Sequence, residues 1–121
     1  MNTSVTALIA VRSRELRDAL HALLEATIHI HAVYRTSDAQ TSIECLETYH
    51  PALMLCDYVI FNEVGVWENT QVLVLVDNRV EQNQVIAKGV SNVVITGTPV
   101  DDLVTMIHSL LNAGAGSVND D

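Results

Sequence analysis

Basic residues are scarce in this chain. Its 121 residues include only six, namely Arg12, Arg14, Arg17, Arg35, Arg79 and Lys88, against fifteen Asp and Glu, for a formal charge of −9. Affinity for nucleic acid rests on clustered Lys and Arg that displace counterions, so direct binding to DNA or RNA is not expected. Long hydrophobic runs are also missing. Stretches such as Val72 to Val76 fall far short of the roughly 18 apolar residues that cross a bilayer. The start, Met1-Asn2-Thr3-Ser4, has no basic region, and the apolar run to Val11 is broken by Arg12 and Arg14, so no secretory signal is read and a cytoplasmic location is expected. Two cysteines, Cys45 and Cys56, lack any paired spacing and sit in apolar surroundings. They fit reduced core thiols better than a disulfide or a zinc site. No phosphate-binding glycine loop, dinucleotide fingerprint, nucleophile elbow or His-Glu metal motif occurs, so no enzyme class has a motif to rest on.

What is present is 49% hydrophobic residues, enough for one domain and too short a chain for two. Residues 1–112 are expected to form that domain and residues 113–121 a small, polar, acidic tail or linker root. Apolar periodicity changes repeatedly between strand and helix. Val5 to Val11 reads as a strand buried on both faces. Ser13 can cap a helix carrying Leu16, Leu20, Leu23 and Leu24. Ile28 to Tyr34 alternates like a half-buried strand near a sheet edge. Ser37 and Gln40 have capping-box spacing before a helix that places Ala39, Ile43 and Leu46 on one face and ends near His50-Pro51.

Leu53 to Cys56 and Val72 to Val76 read as buried strands ending on Asp57 and Asp77. A helix over 80–88 would stop at Gly89, and Val93 to Ile95 gives a fifth strand. Thr98-Pro99 opens a last helix with the stripe Leu103, Met106, Ile107, Leu110 and Leu111. Strands alternating with helices predict an α/β fold, a parallel sheet covered on both faces. In such folds ligands bind outside the carboxyl ends of the strands, which singles out Val11-Arg12, Asp57, Val76-Asp77 and Thr96 to Thr98.

The order of these elements and several strings resemble the CheY-like receiver domain of two-component response regulators. Leu16 to Glu25 is similar to its first helix, Pro51 to Asp57 to the strand that carries its phosphoacceptor, and Thr98-Pro99-Val100-Asp101-Asp102-Leu103 to the start of its last helix. The resemblance implies a doubly wound five-stranded parallel sheet of order 2-1-3-4-5. It also implies a role in phosphorelay signalling, with Asp57 at the phosphoacceptor position. A working receiver needs an acidic pair to hold Mg²⁺, a hydroxyl after the fourth strand and a lysine after the fifth, which together neutralise a transferring phosphoryl group. Here Val11 and Arg12 replace the acids, Val76 replaces the hydroxyl, and Thr96 or Thr98 stands for the lysine. Phe61 takes the place of a usual proline.

The expectation is therefore a pseudo-receiver without its usual Mg²⁺-dependent phosphorylation, acting through a protein partner or a homodimer. Two readings stay open beside it: a small-ligand sensor, and an acceptor at Asp57 with an unusual site. Residues 58–70 leave little more than the roughly dozen positions a parallel crossover needs, so the third helix is expected to be short or absent, with Trp67 as a hydrophobic lid or a partner anchor. Arg12 is expected to pair with Asp57 or to extend into solvent. Arg12, Arg14 and Arg17 form either a solvated helix face or a small basic patch. His29 and His31 share one strand face, a spacing compatible with a metal but with no further ligand nearby.

Overall fold

The computed structural model describes residues 5–26, 30–97, 102–107 and 109–110. Five strands alternate with helices: β1 (Val5–Ala10), α1 (Arg14–Glu25), β2 (Ile30–Thr36), α2 (Ala39–Tyr49), β3 (Leu53–Asp57), α3 (Tyr58–Val64), β4 (Gln71–Val76), α4 (Arg79–Ala87) and β5 (Val93–Ile95). Residues 102–107 and 109–110 are helical as well. The strands form one sheet of order β2-β1-β3-β4-β5, and every neighbouring pair is parallel. This is the doubly wound arrangement expected from the sequence.

The two-residue period of a strand divides the core between the faces of the sheet. Leu8, Ala10, Met54, Cys56, Val72, Val74 and Val76 point to one face and pack against Leu46, Ile60, Phe61 and Val85 from α2, α3 and α4. Ala7, Ile9, Leu53, Leu55, Leu73, Leu75 and Val94 point to the other and meet Leu20 and Leu24 of α1 with Ile107 and Leu110. Near-continuous apolar strands are thus explained by burial on both sides.

Several boundaries differ from the sequence reading. β1 ends at Ala10; Val11 lies just beyond it, buried, with its N–H on the Thr36 carbonyl at 3.2 Å. β2 runs two residues further than expected, to Thr36. The polar Thr36 is tolerated in a buried position because its hydroxyl and that of Ser42 lie 2.6 Å apart, and Ser42 also donates to the Asp38 carbonyl at 2.6 Å. Asp38, not Ser37, caps α2, accepting from Thr41 N at 2.7 Å. The extended backbone of the capping position, φ −147° and ψ 167°, falls on Asp38, three residues before Thr41, so its carboxylate rather than the Ser37 hydroxyl meets the free N–H. α4 begins on Arg79, capped by Asn78, and the chain turns at Gly89 with φ of 100°, a left-handed geometry that glycine adopts without strain.

The third helix is present and short, at seven residues. Trp67 follows it, half-buried against the α2–α4 side of the core, and its indole N–H donates to the Val64 carbonyl at 3.2 Å, the arrangement of a lid. Thr98, Pro99, His29 and the segment 113–121 lie outside the described residues, as does the side chain of His31. No helix among the described residues is long and apolar enough to cross a membrane.

Candidate functional site

The carboxyl ends of β1, β3, β4 and β5 surround a cleft of about 220 Å³ lined by Arg12, Asp57, Tyr58, Asp77, Glu81 and Thr96 among others. Asp57 is its centre. As the last residue of β3 it is also the cap of α3, with Oδ1 accepting from Ile60 N at 2.8 Å. Its Oδ2 accepts twice from Arg12, from the main-chain N at 2.9 Å and from Nε at 3.1 Å. Both oxygens are therefore engaged, and the Asp57 side chain is only 13% exposed, whereas that of Arg12 is 58% exposed.

The loop that delivers Arg12 is fixed from beneath. Arg17 Nη1 donates to the Val11 carbonyl at 2.8 Å and to the Arg12 carbonyl at 3.3 Å, and Ser13 Oγ caps α1 by accepting from Leu16 N. The run of three arginines is thus not a uniform patch: Arg12 faces Asp57 and Arg17 clamps the loop. Sequence spacing placed Arg17 on the first turn of α1 without showing that its head group folds back onto β1.

On the far side of the cleft Val76 is buried and offers no hydroxyl. Asp77 Oδ1 accepts from Thr96 Oγ1 at 3.2 Å, and Thr96 N donates to the Val76 carbonyl at 2.8 Å. Glu81, not singled out from the sequence, reaches back so that Oε1 accepts from Asp77 N at 2.8 Å, while its own N–H donates to the Asn78 side chain. The spacing Asn78-x-x-Glu81 is the signature that would have found it.

Val11, Arg12, Asp57, Asp77 and Thr96 therefore line one cleft, with Val76 buried beneath its edge. These residues do not fit a hard divalent ion, which needs several oxygen ligands. Position 11 is apolar, position 12 is a cation, and the Asp57 oxygens already accept N–H groups. Among the described residues no group of three His, Cys, Asp or Glu side chains is placed to hold a metal.

Helix α3 is tied to α4 rather than left loose. Tyr58 donates its hydroxyl to the Gln84 side chain, and Lys88 Nζ donates to Asn62 Oδ1 at 2.9 Å while lying 5.7 Å from the Phe61 ring centre. Beneath the site, burial and the neighbouring Asp57 charge push the Cys56 thiol far above its ordinary value. Burial raises Cys45 too. Neither thiol has the electropositive setting of a reactive cysteine.

No protein-family model and no curated protein matches the sequence. Solved structures do match it. The RcsB two-component response regulator in complex with DNA superposes with a TM-score of 0.78 at 14% identity, over 91% of this chain and 61% of that one. The chain thus spans about three-fifths of that regulator. A DNA-binding response regulator of the LuxR family from Staphylococcus aureus gives 0.73 at 16% identity, over 89% and 99% of the two chains. The signal receiver domain of a Luxo repressor protein from Vibrio parahaemolyticus gives 0.75 at 14% identity, over 98% of each. The fold of this chain is that of a response-regulator receiver domain.

Proposed function

We infer that the chain is a receiver-type module of two-component signal transduction, not an enzyme, that works by protein contact and no longer runs the Mg²⁺-dependent phosphorylation cycle at Asp57. One observation carries this reading: Oδ1 of Asp57 is spent on the α3 cap and Oδ2 on two donors of Arg12. A carboxylate acting as a nucleophile towards a phosphoryl donor must give up those bonds, and the side chains of Val11 and Arg12 supply no oxygen ligands for an ion that would neutralise the charge. Arg12 acts instead as a built-in counterion, holding one arrangement of the β1–α1 loop and α3.

Output then depends on a surface, with a protein partner or a second copy of the chain bound to one stable conformation. Two of the similar structures are described as DNA-binding regulators or complexes. The charge of −9 argues against phosphate contacts by the present domain, so DNA recognition is not assigned to it.

The test is incubation with acetyl phosphate and Mg²⁺ followed by intact-mass measurement. No gain of mass is expected. Addition of one phosphate, absent from Asp57→Asn, overturns the reading. Light scattering at micromolar concentration supplies a second arm. A dimer unchanged by acetyl phosphate supports a constitutive contact surface, and an assembly that changes with acetyl phosphate counts against it.

A further inference from the structure

Beside the Asp57 cleft lies a larger hollow of about 480 Å³, bounded by α1, the ends of β4 and β5, and the helical residues that start at 102. Its lining is almost wholly apolar, with Leu16, Leu23, Leu75, Val94 and Leu103 as the main walls. Two small side chains of α1, Ala19 and Ala22, also face it and are exposed, so the trough stays open where bulkier residues would close it. Leu16, Leu75 and Thr96 line both hollows, so the apolar trough and the polar cleft adjoin along these three residues. Its volume falls within the roughly 300–1,000 Å³ of small-molecule sites, which pair apolar walls with a few polar groups.

The polar end has donors to spare. Arg12 commits its main-chain N and its Nε to Asp57, and its Nη1 and Nη2 have no partner among the described residues. Asp77 and Glu81, at the same end, already accept bonds from Thr96 and from the Asp77 main chain. A guanidinium with one edge occupied and two nitrogens open suits a second carboxylate. A phosphate dianion would bring twice the charge to a cleft that holds three carboxylates around one arginine, whereas a monocarboxylate brings the least an anion can.

We propose that the trough and cleft together form a binding site for an amphipathic monocarboxylic acid, its apolar chain between α1 and β5 and its carboxylate on Arg12. The head-group part rests on the reading above, in which Asp57 holds Arg12 in place. The trough does not depend on it.

Octanoate, octan-1-ol and acetate serve as probes, titrated into the ¹⁵N-labelled full chain. Octanoate is expected to saturate, shifting the amides of Leu16, Leu23, Val94 and Thr96, and acetate to produce no saturable change. Ala19→Phe, which adds a ring to the trough at an exposed helix position, weakens octanoate and octan-1-ol at least tenfold. Arg12→Gln weakens octanoate about tenfold and leaves octan-1-ol within twofold. Circular dichroism checks that each variant is folded, and Ala22→Phe replaces Ala19→Phe if it is not. Lack of saturable octanoate binding, wild-type affinity in the trough variant, or unchanged octanoate affinity in Arg12→Gln each overturns the proposal. Phosphate uptake at Asp57, read by mass, would sink the locked-site reading while leaving the octanoate titration to be judged on its own.

Discussion

Replacing Asp57 by alanine probes the site most directly, because the sign of the effect separates two kinds of pocket. In a cleft of mutually repelling carboxylates, removing one relieves strain and stabilises the fold. Here Asp57→Ala deletes the cap of α3, which costs about 1 kcal/mol. It also deletes the bond from Arg12 N, worth about 1 kcal/mol net. The guanidinium pair adds no more than about 0.5 kcal/mol, since Arg12 is 58% exposed and its charge is screened by water. Relief of repulsion from Asp77 and Glu81 offsets a few tenths of a kcal/mol at the effective dielectric of a protein surface.

The net expectation is a loss of about 2 kcal/mol for Asp57→Ala. Asp57→Asn should lose about half as much, because an amide oxygen still caps the helix. Urea unfolding followed by circular dichroism, with an unchanged denaturant slope, measures both. A double-mutant cycle with Arg12→Ala isolates the guanidinium contribution, because the main-chain N–H of residue 12 survives in the single variant. The coupling should be about 0.5 kcal/mol and should fade in 1 M salt. A neutral or stabilising Asp57→Ala would refute the paired site.

Three further outcomes follow from the packing and titration of the fold. Phe61→Ala should cost about 3–5 kcal/mol, because the ring is fully buried in the core on the α2–α4 side of the sheet; urea unfolding that shows a loss below about 1.5 kcal/mol would contradict its place in the core. Cys56 should resist iodoacetamide at pH 8 in the native protein and react once urea unfolds it, and prompt native labelling detected by mass would show that the thiol is not held down. The backbone N–H of Thr41, followed by a weaker side-chain bond from the same residue, lowers the Asp38 carboxyl below its ordinary value. With the folded value depressed, its stabilisation is complete above the unfolded value and fades as pH falls through the folded one. Asp38→Ala should therefore differ from wild type near pH 6 and converge with it in acid; a gap in urea midpoint that persists at the lowest pH would assign the effect to something other than the charge.

The sheet was legible because its signal is redundant. Strands buried on both faces can hardly be anything but apolar, and β1, β3, β4 and β5 announced themselves that way, while the edge strand β2 showed itself by alternation. Boundaries were less legible wherever a polar residue was rescued by tertiary contact. The second strand was expected to end at Tyr34, whereas it runs on to Thr36, whose buried hydroxyl meets that of Ser42, and Ser37 looked like a cap until the backbone set Asp38 in the capping position. Pairing of Arg12 with Asp57 was one of two readings open from the sequence, and which of its donors would reach Asp57 was not legible. That depends on Arg17 holding the carbonyls of residues 11 and 12, a contact between a helix turn and the strand end before it that no periodicity encodes. Glu81 was not legible as a member of the site because it lies in the first turn of α4, past the strand end, and reaches the cleft only by folding back to the Asp77 N–H.

A metal bound at such a cleft comes and goes, and its occupancy follows the concentration of free ion outside. The guanidinium of Arg12 is attached to the same chain as the carboxylate it meets, so its effective concentration at Asp57 is fixed by loop length rather than by solution composition. Chelators, dilution and swings in divalent ion leave it where it is. A carboxylate that meets a tethered cation is therefore paired in the same way whatever the ionic content of its surroundings.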